Sequence, residues 1–216
     1  MKRTFAFIAL LFSLSVLASA PSALAADLQA GRDYTLIEPP QPVAGGGKIE
    51  VVEFFSYGCS HCNDFHPLVT AWAAKLPKDV VFRRVPVSFN RPPWARLASI
   101  YYALEATGNV EKLDSLVFAA VHKDRVNFDS NEAVASWATS KGADGKKIGD
   151  AMASFGVQSR LKAGDQEATR YGISGVPALA VNGRYLVNNS AAPNYGALLT
   201  LVDTVVAKVR AESNTK

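Results

Sequence analysis

The sequence predicts an α/β domain into which an all-helical subdomain is inserted. Three observations carry that prediction. A strand, a long helix and a second strand follow one another over residues 48–87; residues 92–170 show helical periodicity with no strand-like run; and strand, turn, strand and helix resume after residue 176. Each segment has a local reason.

The chain opens with Met1-Lys2-Arg3, an apolar run from Phe5 to Leu17, and small residues closing on Ala23-Leu24-Ala25. A positive end, a short apolar core and an Ala-x-Ala site describe a secretory signal peptide over residues 1–25, cleaved after Ala25. The apolar run is shorter than the roughly 20 residues that span a bilayer. Leu28 to Gly47, with Pro39-Pro40, Pro42 and Gly45-Gly46-Gly47, reads as an extended arm or loop. Lys48 to Phe55 is β-branched and aromatic and too apolar for a surface strand, so it is expected to be buried and central.

After Gly58, Phe65, Leu68, Val69, Trp72 and Leu76 recur at helical spacing from Cys59 until Pro77 stops the run. Val80 to Val87 is the second strand, and the three elements make a βαβ unit with a right-handed crossover. Helices are then expected at 95–107 (ending at Gly108), 110–123, 131–140 (capped by Asp129-Ser130), 143–155 and 157–171. They form the inserted subdomain 92–170, between the two parts, 26–91 and 171–216, of the α/β domain. Val176 to Val181 and Arg184 to Val187 flank Asn182-Gly183, the strongest short-range hairpin signal. An amphipathic helix over 195–211 closes the chain.

Composition excludes several functions. Lys+Arg 23 against Asp+Glu 19 gives +4, which falls to +2 when Lys2 and Arg3 leave with the signal, and no basic cluster marks a nucleic-acid footprint. No nucleic-acid partner is therefore expected. Only two cysteines occur, both in Cys59-Ser60-His61-Cys62. A staple closing about four residues would contribute only roughly 2 kcal/mol of loop entropy, against more than 4 for a loop of about 100. A chain with a single pair would not place it where it stabilises least. Zinc sites need a second, distant ligand doublet, and only His122 remains beyond the cluster Cys59, His61, Cys62, His66. Covalent haem needs His directly after the second cysteine, where this chain has Asn63. Neither metal nor cofactor is expected.

The chemistry left is thiol–disulfide exchange. At a strand-to-helix turn the first thiol sits on the helix N-terminus, where free N–H groups and the dipole favour an anion. Cys59 is thus expected to be the exposed, low-pKa nucleophile, and Cys62, one turn in, the buried resolving thiol. Glu53 lies in an otherwise apolar strand, where burial would raise its pKa and let it move a proton to or from Cys62.

Glu53-Phe54-Phe55-Ser56-Tyr57-Gly58-Cys59-Ser60-His61-Cys62, with Phe65-His66, Gly175-Val176-Pro177-Ala178 and the helical insertion, closely resembles the DsbA family of the thioredoxin superfamily. The resemblance spans essentially the whole mature chain. It implies a thioredoxin-like domain and a periplasmic dithiol oxidase that introduces disulfide bonds into exported proteins. It also implies reoxidation by a quinone-linked membrane partner of the DsbB type. Pro177 matches the family's cis-proline facing the active site, which turns the Val176 backbone toward a substrate strand. His61 matches the residue that donates toward, or if cationic stabilises, the Cys59 thiolate. Ser60 departs from the family's usual proline, which bears on the redox potential. Two other readings compete: an isomerase or reductase on the same fold, and a peptide-binding holdase. The ~20 residues between Ala26 and Gly47 are too few to build an added dimerisation domain, so a monomer is expected. His66, His122, Trp72, Trp94, Trp137, Arg83 and Arg84 are expected to serve packing or surface roles.

Overall fold

The structure is a computed structural model that describes residues 28–214; the expected signal peptide lies outside the described residues. Five strands and seven helices are described: β1 Tyr34–Leu36, β2 Ile49–Phe55, α1 Ser60–Ala73, β3 Val80–Pro86, α2 Pro92–Ala106, α3 Val110–His122, α4 Asn131–Ser140, α5 Gly145–Ala153, α6 Phe155–Arg170, β4 Ala178–Val181, β5 Tyr185–Val187 and α7 Tyr195–Asn214. The sheet order is β1-β5-β4-β2-β3, with β2 parallel to β3 and the other pairs antiparallel.

All seven residues of β2 are buried, because it is paired on both edges and covered on both faces. Successive side chains alternate faces. Val51 packs with Phe65 and Val69 of α1 and with Val202 and Val205 of α7. Val52 and Phe54 point the other way, against Ala168 of α6 and against Tyr171. Phe55 joins a third apolar cluster with Tyr57, Ile100, Leu113, Val117 and Ile148, which fills the space among the helices between β3 and β4. Among the described residues no helix is long and apolar enough to cross a membrane.

Several boundaries differ from the sequence reading for local reasons. The arm before Gly47 contains β1, a three-residue strand on the sheet edge against β5, too short to show alternation. Helix α1 ends at Ala73, where Lys75 and Leu76 donate to Trp72 and Ala73 three residues back and tighten the last turn before Pro77. Helix α2 begins at Pro92, since proline is tolerated in a first turn. Phe155 belongs to α6, because the Ser154 hydroxyl accepts from Val157 N–H and starts a new helix there. The hairpin turn is as expected: Asn182 (φ 52°) and Gly183 (φ 63°) both take the left-handed conformation of a type I′ turn.

Candidate active site

Cys59 is the N-cap of α1, at the end of β2 and the Ser56-Tyr57-Gly58 turn. The turn is tied down locally: Ser56 O accepts from Cys59 N–H at 3.1 Å and Ser56 Oγ from Gly58 N–H at 3.1 Å. His122 Nε2 donates to Tyr57 O at 2.7 Å, so α3 also holds the turn. Both cysteines carry free thiols. Cys59 is half-buried and Cys62 fully buried on the inner face of the helix.

Their environments drive the two thiols apart. Cys59 is lowered to about 6, first by the hydrogen bond from the Cys62 thiol, then by the backbone N–H groups of Cys62 and His61 and the charge of His61, against an opposing effect of burial. Cys62 is pushed far up by burial, by its hydrogen bond to Cys59, and by the negative charges of Cys59 and Glu53. The His61 side chain is exposed, and its carbonyl accepts from Tyr195 Oη at 3.3 Å.

Opposite the cysteines, the Val176–Pro177 bond is cis. The Val176 carbonyl receives the Cys59 Sγ–H at 3.4 Å, across 117 residues of chain. Pro177 O accepts from Asn189 Nδ2 at 2.6 Å. Two surface depressions lie in this half of the molecule and share Ile173. One of about 830 Å³ lies between residues 88–92 and α6 and includes Phe89 and Ile173; one of about 410 Å³ is lined by residues 172–178 and the end of β5.

Beneath the cysteines Glu53 is completely buried. Burial raises its pKa, with Arg84 opposing and Asp114 assisting. Its Oε2 accepts from Arg84 Nε at 2.6 Å, and its Oε1, also buried, has no hydrogen-bond partner among the described residues. Sequence reasoning missed these neighbours of Glu53. Arg84 stands directly opposite it in the parallel register, and Arg84 Nη1 donates to Asp114 Oδ2 at 2.6 Å. Tyr57 Oη donates to Asp114 Oδ1. His66 is buried, bonds Ser115 Oγ through Nε2 at 2.8 Å, and lies 3.6 Å from Asp114 Oδ2. A signal for Asp114 existed: it falls on the apolar stripe of α3, between Val110, Leu113 and Val117. Arg83, its side chain on the other face, bridges Glu50 at 3.0 Å and Glu167. Trp94 packs against the active-site turn, close to Gly58.

Comparison with known proteins agrees with this geometry. Residues 50–199 match the model of the DSBA-like thioredoxin domain. The chain is 38% identical over 200 residues to the thiol:disulfide interchange protein DsbA of Azotobacter vinelandii, covering 93% of this chain and 92% of that one. It is 37% identical over 205 residues to DsbA of Bordetella parapertussis, covering 94% and 97%. The crystal structure of Pseudomonas aeruginosa DsbA superposes with a TM-score of 0.82 at 34% identity, over 87% of this chain and 97% of that one. A thioredoxin-type sheet interrupted by helices, a Cys-x-x-Cys pair at the first strand-to-helix turn, and relatives matched over nearly their full length place this chain in the DsbA family of thiol:disulfide oxidoreductases.

Proposed function

We propose that the chain works in the periplasm, after removal of residues 1–25, as a dithiol oxidase for reduced exported proteins. The observation that carries this reading is the asymmetry of the pair: a half-exposed Cys59 held at about 6 and a buried Cys62 pushed far upward. Access makes Cys59 the sulfur that substrates attack, and its low proton affinity makes it the sulfur that leaves when the mixed disulfide is resolved.

The steps follow. A substrate thiolate attacks Cys59 Sγ, the Cys59–Cys62 bond breaks, and Cys62 departs as a thiolate. Its high proton affinity requires a proton, which Glu53 supplies from its buried carboxyl. A second substrate thiolate attacks the substrate sulfur of the mixed disulfide and Cys59 leaves as a stable thiolate. Two substrate thiols become one disulfide and two electrons pass to the enzyme; of the two thiol protons released, one goes to solvent and one reprotonates Glu53, whose own proton ends on Cys62. The exposed His61 favours the Cys59 anion by its backbone N–H and its charge. The Val176 carbonyl, which the Cys59 thiol now occupies, is the acceptor offered to a substrate backbone, and Pro177 keeps that edge open beside the sulfur. A DsbB-type membrane quinone reductase would return the pair to the disulfide, with the chain acting as a monomer.

Cys62→Ser tests the assignment in vivo. It removes the internal resolving thiol, so mixed disulfides with exported proteins should accumulate as a ladder on non-reducing gels that dithiothreitol collapses. A ladder from Cys59→Ser and none from Cys62→Ser would reverse the roles.

A further inference from the structure

We propose that Asp114 is a positioning residue that shares the Arg84 guanidinium with Glu53 and so leaves the Glu53 carboxyl free to gain and lose a proton beside Cys62. The inference rests on the proposed role of Glu53 and extends it to a residue on another helix.

Around Glu53 the titratable groups are Cys62 and His66 from α1, Arg84 from β3, Tyr101 from α2, Asp114 from α3, and Tyr57 from the turn. Arg84 is their fixed cation, its side chain 9% exposed and its guanidinium 3.8 Å above the Phe55 ring. It bonds Glu53 Oε2 and Asp114 Oδ2, each at 2.6 Å. With both carboxylates ionised this water-poor cluster would carry an uncompensated negative charge, so one proton is strongly favoured on the pair.

Hydrogen bonds decide where that proton rests. Asp114 accepts from Arg84 on one oxygen and from Tyr57 Oη on the other, both of which favour its anion. Glu53 accepts on one oxygen only, and its other buried oxygen is without a partner among the described residues. Burial of Glu53 and the charge of Asp114 act in the same direction, both raising the Glu53 pKa. Burial also depresses the His66 pKa, so the imidazole adds no fixed cation near neutral pH. Without Asp114, Arg84 would face Glu53 alone, and an undivided adjacent cation holds a carboxyl ionised.

The test is the pH profile of substrate oxidation by the full-length mature chain, with infrared difference spectra between the redox forms reporting the Glu53 carboxyl band. Glu53→Gln should remove one ionisation from the profile. Asp114→Asn should move that ionisation down by about one pH unit or more, the lower end of what one opposite charge imposes, and Asp114→Glu should restore it. In the Glu53→Gln background Asp114→Asn should move nothing further, which a merely structural role would not predict. Should Asp114→Asn fail to fold, Tyr57→Phe serves: it strips a donor from Asp114, draws the shared proton toward it, and moves the Glu53 ionisation down by less. If Glu53→Gln leaves the profile intact, the proton role of Glu53 fails. If Glu53→Gln removes the ionisation while neither Asp114→Asn nor Tyr57→Phe moves it, the role of Asp114 is overturned and that of Glu53 stands.

Discussion

Replacing Cys62 by alanine separates the hydrogen bond between the thiols from the field of the helix. With its pKa at about 6, against 9.0 for an ordinary thiol, Cys59 is roughly 90% thiolate at about pH 7 instead of about 1%. The largest cause is the hydrogen bond from Cys62, and a hydrogen bond to a charged group is worth about 1.5–3 kcal/mol, equivalent to about 1–2 pH units. Because the Cys59 sulfur is half in water, screening selects the lower end. Cys62→Ala should therefore raise Cys59 to about 7 and leave roughly half of it ionised at about pH 7. Cys62→Ser, which keeps a hydroxyl donor, should raise it less. The assay is far-ultraviolet thiolate absorbance of the reduced protein against pH. An unchanged midpoint in Cys62→Ala would show that the backbone N–H groups and His61 hold the anion by themselves, and would refute this reasoning.

Other outcomes follow from the same structure. The depressed Cys59 pKa stabilises the reduced fold fully above the unfolded value of 9.0, and that stability is lost as pH falls through about 6; in urea titrations, reduced wild type should gain on reduced Cys59→Ala between those limits, and a constant difference would contradict the linkage. Arg83→Met strands Glu50, whose side chain is 1% exposed, and should cost about 3 kcal/mol of unfolding free energy measured by denaturant titration; a loss under about 1 kcal/mol would mean that the Ala44 N–H bond to Glu50 suffices. Gly58→Ala places a methyl carbon 2.8 Å from Trp94 Nε1 and 3.3 Å from a Leu97 methyl, so it should destabilise by about 1–3 kcal/mol and slow substrate oxidation. Wild-type stability and rate in that variant would mean that Trp94 yields freely.

Much of the fold was legible along the chain because its signals are local. The predominantly apolar run of β2, the helical spacing of Phe65, Val69 and Trp72 on α1, the Ser130 cap, whose hydroxyl accepts from Ala133 N–H, and the Asn182-Gly183 turn each fit within two or three turns of backbone. The same holds for the redox pair, since Cys59 and Cys62 meet within one helical turn. β1 escaped because three residues on an edge show no period. Asp114 and Arg84 escaped because the partners that hold them buried lie on other elements, 30 residues or more away in the chain, and leave no local pattern.

By itself, the sequence determined the alternation of elements, the site of the two thiols, and which of them stands on a helix N-terminus, since all three depend on residues close in the chain. Only the tertiary structure decided that the Val176 carbonyl meets Cys59 across 117 residues, that Arg84 lies in register with Glu53, and that Asp114 from α3 divides the same guanidinium. Those contacts set the proton affinities around Cys62. They join groups far apart in the chain, whose charges act on each other only once the packed sheet and helices have excluded the water between them.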